Sequence, residues 1–256
     1  MTPLWHPSAR LRFRLLALGG LLALLLVQAA AQAAKVKGKL ENFRELVNPV
    51  WQEAKDPNRR MYSFREIVPT VPAEYRRLFP HIPKELCVAA LASQAQQPDL
   101  KPVLIRVGGG RTTPVTIVVA PGTRLVFRNT DPFTHRLYIA GQSTFSASDT
   151  LQGATRDWTV PKAGSFEVRD ELAPSLRMWI VAEPNVAAIA YPSMAGEFLL
   201  TLTLPGDYTI QTFFSGKRVG DAVPIKVEAA DVDLSSKPIK VAPDPKKAAK
   251  KADKTE

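Results

Sequence analysis

His135 is the residue of this chain whose type and setting best suit metal or acid–base chemistry. It follows Asn129 by six positions and Asp131 by four, just after a short β-branched run. A blue-copper centre needs two imidazoles and a thiolate, usually with a weak axial methionine. The only cysteine, Cys87, precedes His135, and no histidine or cysteine follows it. We therefore expect no cofactor and no copper redox site, and keep His135 with Asp131 as weak candidates for holding a divalent ion.

Charged residues near position 170 form a second group that could bind a ligand. Arg169-Asp170-Glu171 and Arg177 most simply form a solvated ion-pair cluster on the surface. If the group is instead partly buried beside His135, it forms a polar pocket for an anionic or sugar ligand. The candidate ligand or partner contacts are then Asn129, Asp131, His135, Asp170 and Arg177.

A hydrolytic site is not predicted. His135, a nearby aspartate and a serine could in principle form a triad, but the Gly-x-Ser-x-Gly turn that exposes such a nucleophile is absent from the sequence. We predict that the protein is not an enzyme.

From residue 101 onward, short β-branched runs alternate with turn residues about every ten positions. Examples are Val103–Val107, Thr116–Val119 and Arg177–Val181. This spacing is typical of an antiparallel sandwich or barrel. We predict a first β-sandwich domain over residues 101–183. It positions the candidate residues at strand ends.

A second, smaller β-module is predicted over residues 184–230. Phe198, Leu200, Leu202 and Leu204 recur with a period of two, which places them on one face of a strand. With so few residues the module has a small core, so we expect it to lean on the first sandwich.

Residues 34–100 are predicted to be a proline-rich, loop-rich extension that packs on the sandwich, because proline recurs and aromatic residues argue against disorder. Within it, the apolar run 86–91 predicts that Cys87 is a buried structural thiol. A single cysteine cannot form an internal disulfide.

The N-terminus is typical of an export signal. Three arginines precede the thirteen-residue apolar run Leu15–Val27, and Ala31-Gln32-Ala33 matches a cleavage site. We predict a signal peptide over residues 1–33 and a periplasmic or secreted protein without a membrane-spanning segment in its mature chain. An uncleaved N-terminal anchor is the alternative.

The formal net charge of +10 is concentrated at the two ends of the chain. The signal carries three arginines, and the last twenty residues carry seven lysines. The body is only weakly basic, which excludes a dedicated nucleic-acid binder. We predict that residues 231–256 form a disordered, lysine-rich tail, able at most to contact an anionic surface weakly.

Three passages resemble a known family: 129–135, 174–181 and 196–209. They are similar to periplasmic cupredoxin-like proteins of the methylamine-utilisation-protein-like type, which join a cupredoxin-like domain to a carboxypeptidase-regulatory-like β-module. The resemblance implies an all-β fold, a cupredoxin-like Greek-key β-sandwich followed by a small β-sandwich module. In metal-binding members a thiolate stands near the position of Asp170 and an imidazole near Ala173, so only His135 carries over.

The sequence therefore predicts an exported, non-catalytic binding or scaffold protein of the bacterial envelope, whose cupredoxin-like domain lacks a type 1 copper site. Its partner is expected to be another envelope protein. The alternative is a periplasmic metal- or small-ligand-binding protein centred on His135.

Overall fold

The computed structural model describes residues 33–50, 53, 79–94, 100–228 and 230–242. The predicted signal peptide, apart from Ala33, lies outside the described residues, as do most of 51–78 and the lysine-rich end from 243. Among the described residues no helix is long and apolar enough to cross a membrane.

The described chain is built mostly of β-strands, with the short helix α1 (Ile82–Glu85), further helical residues at Pro49, Val50 and Glu53, and two single 3-10 turns, Phe43–Glu45 and Ser143–Phe145. The strands are β1 (Ala34–Glu41), β2 (Leu86–Ala92), β3 (Val103–Val107), β4 (Thr112–Thr113), β5 (Thr116–Val119), β6 (Arg124–Asn129), β7 (Leu137–Ile139), β8 (Thr155–Thr159), β9 (Gly164–Asp170), β10 (Arg177–Ala182), β11 (Val186–Ala190), β12 (Glu197–Leu202), β13 (Gly206–Phe214), β14 (Lys217–Val227), β15 (Val232–Asp233) and β16 (Ile239–Lys240). The predicted all-β class is confirmed.

The first sandwich consists of two four-stranded sheets, in the orders β4-β3-β6-β8 and β5-β10-β9-β7. Alternate residues of both sheets point inward, so that Ile105 and Phe127 from one sheet share a core with Val168 and Ile180 from the other. The predicted strands 103–107 and 116–119 have the bounds found in the structure. The sheets are mixed rather than purely antiparallel, because β3 pairs with β6, and β5 with β10, in parallel.

The second sandwich corrects the prediction of a loop-rich extension over residues 34–100. β1 pairs with β12 in one sheet, and β2 is an inner strand between β11 and β13 in the other. All seven residues of β2 are buried. Strands 34–41 and 86–92 are therefore integral to the module that was predicted to span only 184–230. They supply the core area that its few residues lack.

The predicted disordered tail is also corrected in its first part. β15 and β16 pair in parallel with β1, and Ile239 and Val241 are buried in the core of the second sandwich. The apolar side chains of this short segment find a partner strand almost 200 residues away in the sequence. The predicted inward stripe of β12 holds for Phe198, Leu200 and Leu202, whereas Leu204 lies beyond the strand and is exposed.

A small apolar joint connects the two sandwiches. Val118 and Val181 of the first sandwich pack against Cys87 and Phe213 of the second. Cys87 is fully buried, as predicted, and burial raises the pKa of its thiol to about 12. A thiol in this state is a packing group and not a nucleophile.

Candidate functional site

Asn129 fixes the loop that follows β6. The strand places Leu125, Phe127 and Asn129 on its inward face, so that the amide at the strand end is fully buried. Its Nδ2 donates to the carbonyl oxygens of Phe133 and Thr150, both at 2.8 Å, and its Oδ1 accepts the Asp131 backbone N–H at 2.8 Å. The amide is therefore saturated by the protein itself and shapes the loop that carries Asp131 and His135.

The His135 ring lies between two carboxylates. Its Nδ1 is 2.5 Å from Oδ2 of Asp170, and its Nε2 is 2.9 Å from Oδ2 of Asp131. The ring is fully buried and stacks at a tilt on Phe133, with 4.9 Å between ring centroids. The backbone of His135 is fixed as well, through a reciprocal antiparallel bridge to Thr150.

Asp131 connects the imidazole to the glycine loop between β3 and β4. Its two carboxylate oxygens accept backbone N–H bonds from Gly109 at 2.6 Å and Gly110 at 3.1 Å. Burial by itself raises the pKa of Asp131, but the Gly109 amide, the His135 side chain and the Gly110 amide together hold it below 3.8, its ordinary value. Asp131 is thus an ionised group with all its strong partners inside the protein.

Asp170 anchors the loop between β9 and β10. It is 3% exposed, and its Oδ1 accepts backbone N–H bonds from Arg136 at 3.2 Å, Leu172 at 2.7 Å and Ala173 at 3.1 Å. Its other oxygen faces His135 Nδ1. One carboxylate therefore both orders the loop and contacts the ring.

This geometry defines what the His135 ring can do. Each ring nitrogen faces a carboxylate oxygen at hydrogen-bond distance, so neither nitrogen is turned toward an open position. A metal ligand must instead offer a nitrogen lone pair. Among the described residues no group of three or more His, Cys, Asp and Glu side chains is arranged to hold a metal ion.

The structure corrects the prediction of a surface ion-pair cluster around position 170, because Asp170 and Arg177 lie on opposite faces of the sheet. Asp170 points inward to His135, while Arg177 lies on the outer face of the same sheet, with its Nε 2.9 Å from Oε1 of Glu167 and an Nη 3.4 Å from Glu53. Arg169 also contacts Glu167, at 2.8 Å. The structure therefore brings Asn129, Asp131, His135 and Asp170 into one network and leaves Arg177 out of it.

The inward position of Asp170 had a signal in the sequence. Phe166, Val168 and Asp170 are spaced by two on β9, so the alternation that buries the first two also buries the third. The contributions of Gly109, Gly110 and Thr150 had no comparable signal, because they depend on which loops and strands meet at this end of the sandwich.

No protein-family model matches the chain, and no curated protein matches it. Solved structures similar to part of the chain include cupredoxins. Amicyanin from Paracoccus versutus is 11% identical, with 37% of this chain and 98% of that chain covered and a TM-score of 0.30. A reduced amicyanin mutant is 15% identical, with 37% and 99% covered and a TM-score of 0.30. A purple cupredoxin from Nitrosopumilus maritimus is 13% identical, with 32% and 99% covered and a TM-score of 0.27.

Proposed function

We propose that this chain is an exported, non-catalytic binding or scaffold protein of the bacterial envelope, built on a cupredoxin-like domain without a type 1 copper site. The observation that carries the proposal is the enclosure of His135, whose two ring nitrogens each face a buried carboxylate at 2.9 Å or less. The histidine that resembles a copper ligand serves here to hold two loops together.

The distribution of ligands supports this reading. A blue-copper site requires a thiolate in the plane of the imidazoles. Cys87 lies in the joint between the sandwiches, fully buried on β2, whereas His135 lies in the network that joins the ends of β6 and β9. Binding a metal at His135 would also require one ring nitrogen to leave its carboxylate, with the cost of leaving that buried charge without its partner.

The same enclosure supports a non-catalytic role. A general acid or base must come within hydrogen-bond reach of the group it protonates or deprotonates. The His135 ring has no exposed surface, and Asp170 is almost fully buried beside it. The network is therefore a structural support for the loops above it. Those loops and the outer sheet faces remain for binding another envelope protein.

The sequence alternative, a metal- or small-ligand site centred on His135, predicts a different response to metal. We would measure thermal unfolding with and without Cu(II) and Zn(II) for the wild type, His135→Gln and His81→Ala. His81 is an exposed histidine away from the network and serves as the matched control. We expect no metal-dependent stabilisation that His135→Gln removes, and the control His81→Ala should respond to metal as the wild type does.

A metal-dependent stabilisation that survives His81→Ala and disappears in His135→Gln would overturn the proposal. At a metal concentration 100 times the dissociation constant, a true site stabilises the protein by about 2.7 kcal/mol, which is easily measured. If His135→Gln does not fold, the metal content of the wild type and of His81→Ala is measured after dialysis. Metal retained by both proteins would count against the proposal.

A further inference from the structure

Two arginines are aligned on the outer face of the β4-β3-β6-β8 sheet. The parallel register places Arg106 of β3 directly beside Arg128 of β6. Both are exposed, and both alternate with buried core residues, so their side chains project from the same face. Neighbouring strands lie about 4.8 Å apart, so two like charges sit side by side.

No carboxylate of the described residues pairs with either arginine within 4 Å. The four strands of this sheet contain a single acidic residue, Asp157, and it is paired with Arg124, whose Nε lies 2.8 Å from Oδ2. Arg111, also exposed, adds a further positive charge at the β3–β4 turn. Like charges directly opposite on neighbouring strands are destabilising, so the isolated protein gains nothing from this arrangement.

The surroundings of the pair are open and partly apolar. Leu104 precedes Arg106 by two residues on the same face and is 52% exposed, and it lies beside Val126 in the strand register. Thr113 and Thr155 flank the arginines on the two outer strands. The face thus presents two guanidinium groups next to Leu104 and Val126, with hydroxyl groups on both sides and the Arg124–Asp157 ion pair beyond Val126.

The composition of this face indicates the chemistry of its partner. Guanidinium groups form paired hydrogen bonds with carboxylates, and arginine next to apolar side chains is typical of protein interfaces, whereas lysine is depleted there. None of the four strands contains a lysine. An anionic polysaccharide would need only positive charge and would leave the exposed leucine without an apolar contact.

We propose that the outer face of β3 and β6 is a docking surface for a partner protein that presents two carboxylates beside an apolar side chain. The inference rests on the proposed binding function and names the surface and the kind of partner. Arg106 and Arg128 hold the carboxylates, and Leu104 contacts the apolar group.

The first test uses a fluorescein-labelled peptide of four Glu and two Leu residues as the probe, with fluorescence anisotropy as the readout. We expect binding that weakens with salt and that is at least tenfold weaker for the double variant Arg106→Gln/Arg128→Gln. Arg124→Gln is the matched control, because it removes an arginine from the same face that Asp157 already neutralises. We expect it to change the dissociation constant less than twofold.

A second variant, Thr155→Glu, supplies a carboxylate from within the chain. Thr155 lies opposite Arg128 in the strand register, so the new carboxylate competes with the peptide, and we expect a loss of binding like that of the double variant. Circular dichroism and the unfolding temperature check that each variant is folded.

Three results would overturn the inference. Equal weakening by Arg124→Gln would reduce the effect to general charge attraction. Unchanged binding by the double variant would place the peptide elsewhere. Binding of phosphatidylglycerol vesicles or a sulfated polysaccharide in preference to the peptide, lost in the same double variant, would assign the face to a lipid or glycan. None of these readouts depends on metal, so a failure here is distinct from a failure at His135.

Discussion

Two outer faces of the first sandwich each carry a pair of arginines aligned across neighbouring strands, but only one face provides a carboxylate for them. On the β9–β10 face, Arg169 lies beside Arg177 in the strand register, and Glu167 contacts both, at 2.8 Å and 2.9 Å. On the β3–β6 face, Val126 occupies the position two residues before the arginine that Glu167 occupies on β9. The guanidinium groups there have no internal partner.

The two faces also differ in whether the second sandwich packs against their sheet. Part of the β5–β10 surface packs into the joint with the second sandwich, where an unpaired charge would be costly. The β3–β6 surface has no such cover among the described residues and can leave its charges to water. A face that keeps unpaired charge next to an exposed leucine is the better place to look for a partner.

Truncating a side chain in the joint should lower the stability of the protein more than any other change proposed for these two faces. Phe213 is fully buried between the sandwiches, and we expect Phe213→Ala to lower the free energy of unfolding by about 3–5 kcal/mol, because it leaves a cavity. Leu104→Ala, on the open face, should cost less than about 0.5 kcal/mol. Urea unfolding measures both, and similar losses would remove the distinction between a covered and an open face.

Removing the shared carboxylate should make the closed face resemble the open one. Glu167→Gln removes the carboxylate that two arginines share, so that Arg169 loses its ion-pair partner and Arg177, whose side chain is only 12% exposed, keeps only Glu53 at 3.4 Å. We expect a loss of about 1.5–3 kcal/mol in the free energy of unfolding. Glu171→Gln is the control, since its ion pair with Arg136 is longer, at 3.6 Å, and exposed. A loss no larger than that of the control would contradict the role of Glu167.

Acid should weaken the buried network that the two faces enclose. Because the folded pKa of Asp131 is lowered, its stabilisation is present above the unfolded value of about 3.9 and is lost as the pH falls through the folded value. We expect Asp131→Asn to cost roughly 1 kcal/mol at neutral pH and to flatten the decline in stability below about pH 4. Urea unfolding at several pH values measures this, and parallel curves for both proteins would contradict it.

Supplying the missing carboxylate should have the smallest effect and the opposite sign. We expect Thr155→Glu to raise the free energy of unfolding by about 0.2–1 kcal/mol at low salt, because Thr155 lies opposite Arg128 in the antiparallel register and the new carboxylate pairs with that arginine. Thr155→Gln is the uncharged control and should not show the gain. A gain that persists at high salt, where exposed charges are screened, would point to packing instead of charge.

The sequence predicted those elements whose signals are local. β3 and β5 were placed to the residue, because short β-branched runs ended by turn residues are strand signals in themselves. The apolar run around Cys87 was correctly interpreted as buried. The resemblance to a cupredoxin also directed attention to the loop that ends in His135.

The sequence could not show what depends on distant pairing. β15 and β16 are two residues each and exist because β1 offers them a parallel edge. The parallel register that aligns Arg106 with Arg128, and the meeting of Asp131 with Asp170 at His135, are likewise set by how the strands assemble. The local amino-acid composition does not predict these contacts.

The most direct test of the account is nuclear magnetic resonance of the imidazole nitrogens in protein labelled with 15N-histidine. We predict that neither the Nδ1 nor the Nε2 signal of His135 shifts when Zn(II) or Cu(I) is added, because each nitrogen faces a buried carboxylate. A His135 nitrogen signal that moves on metal addition would contradict the account and restore His135 as a ligand.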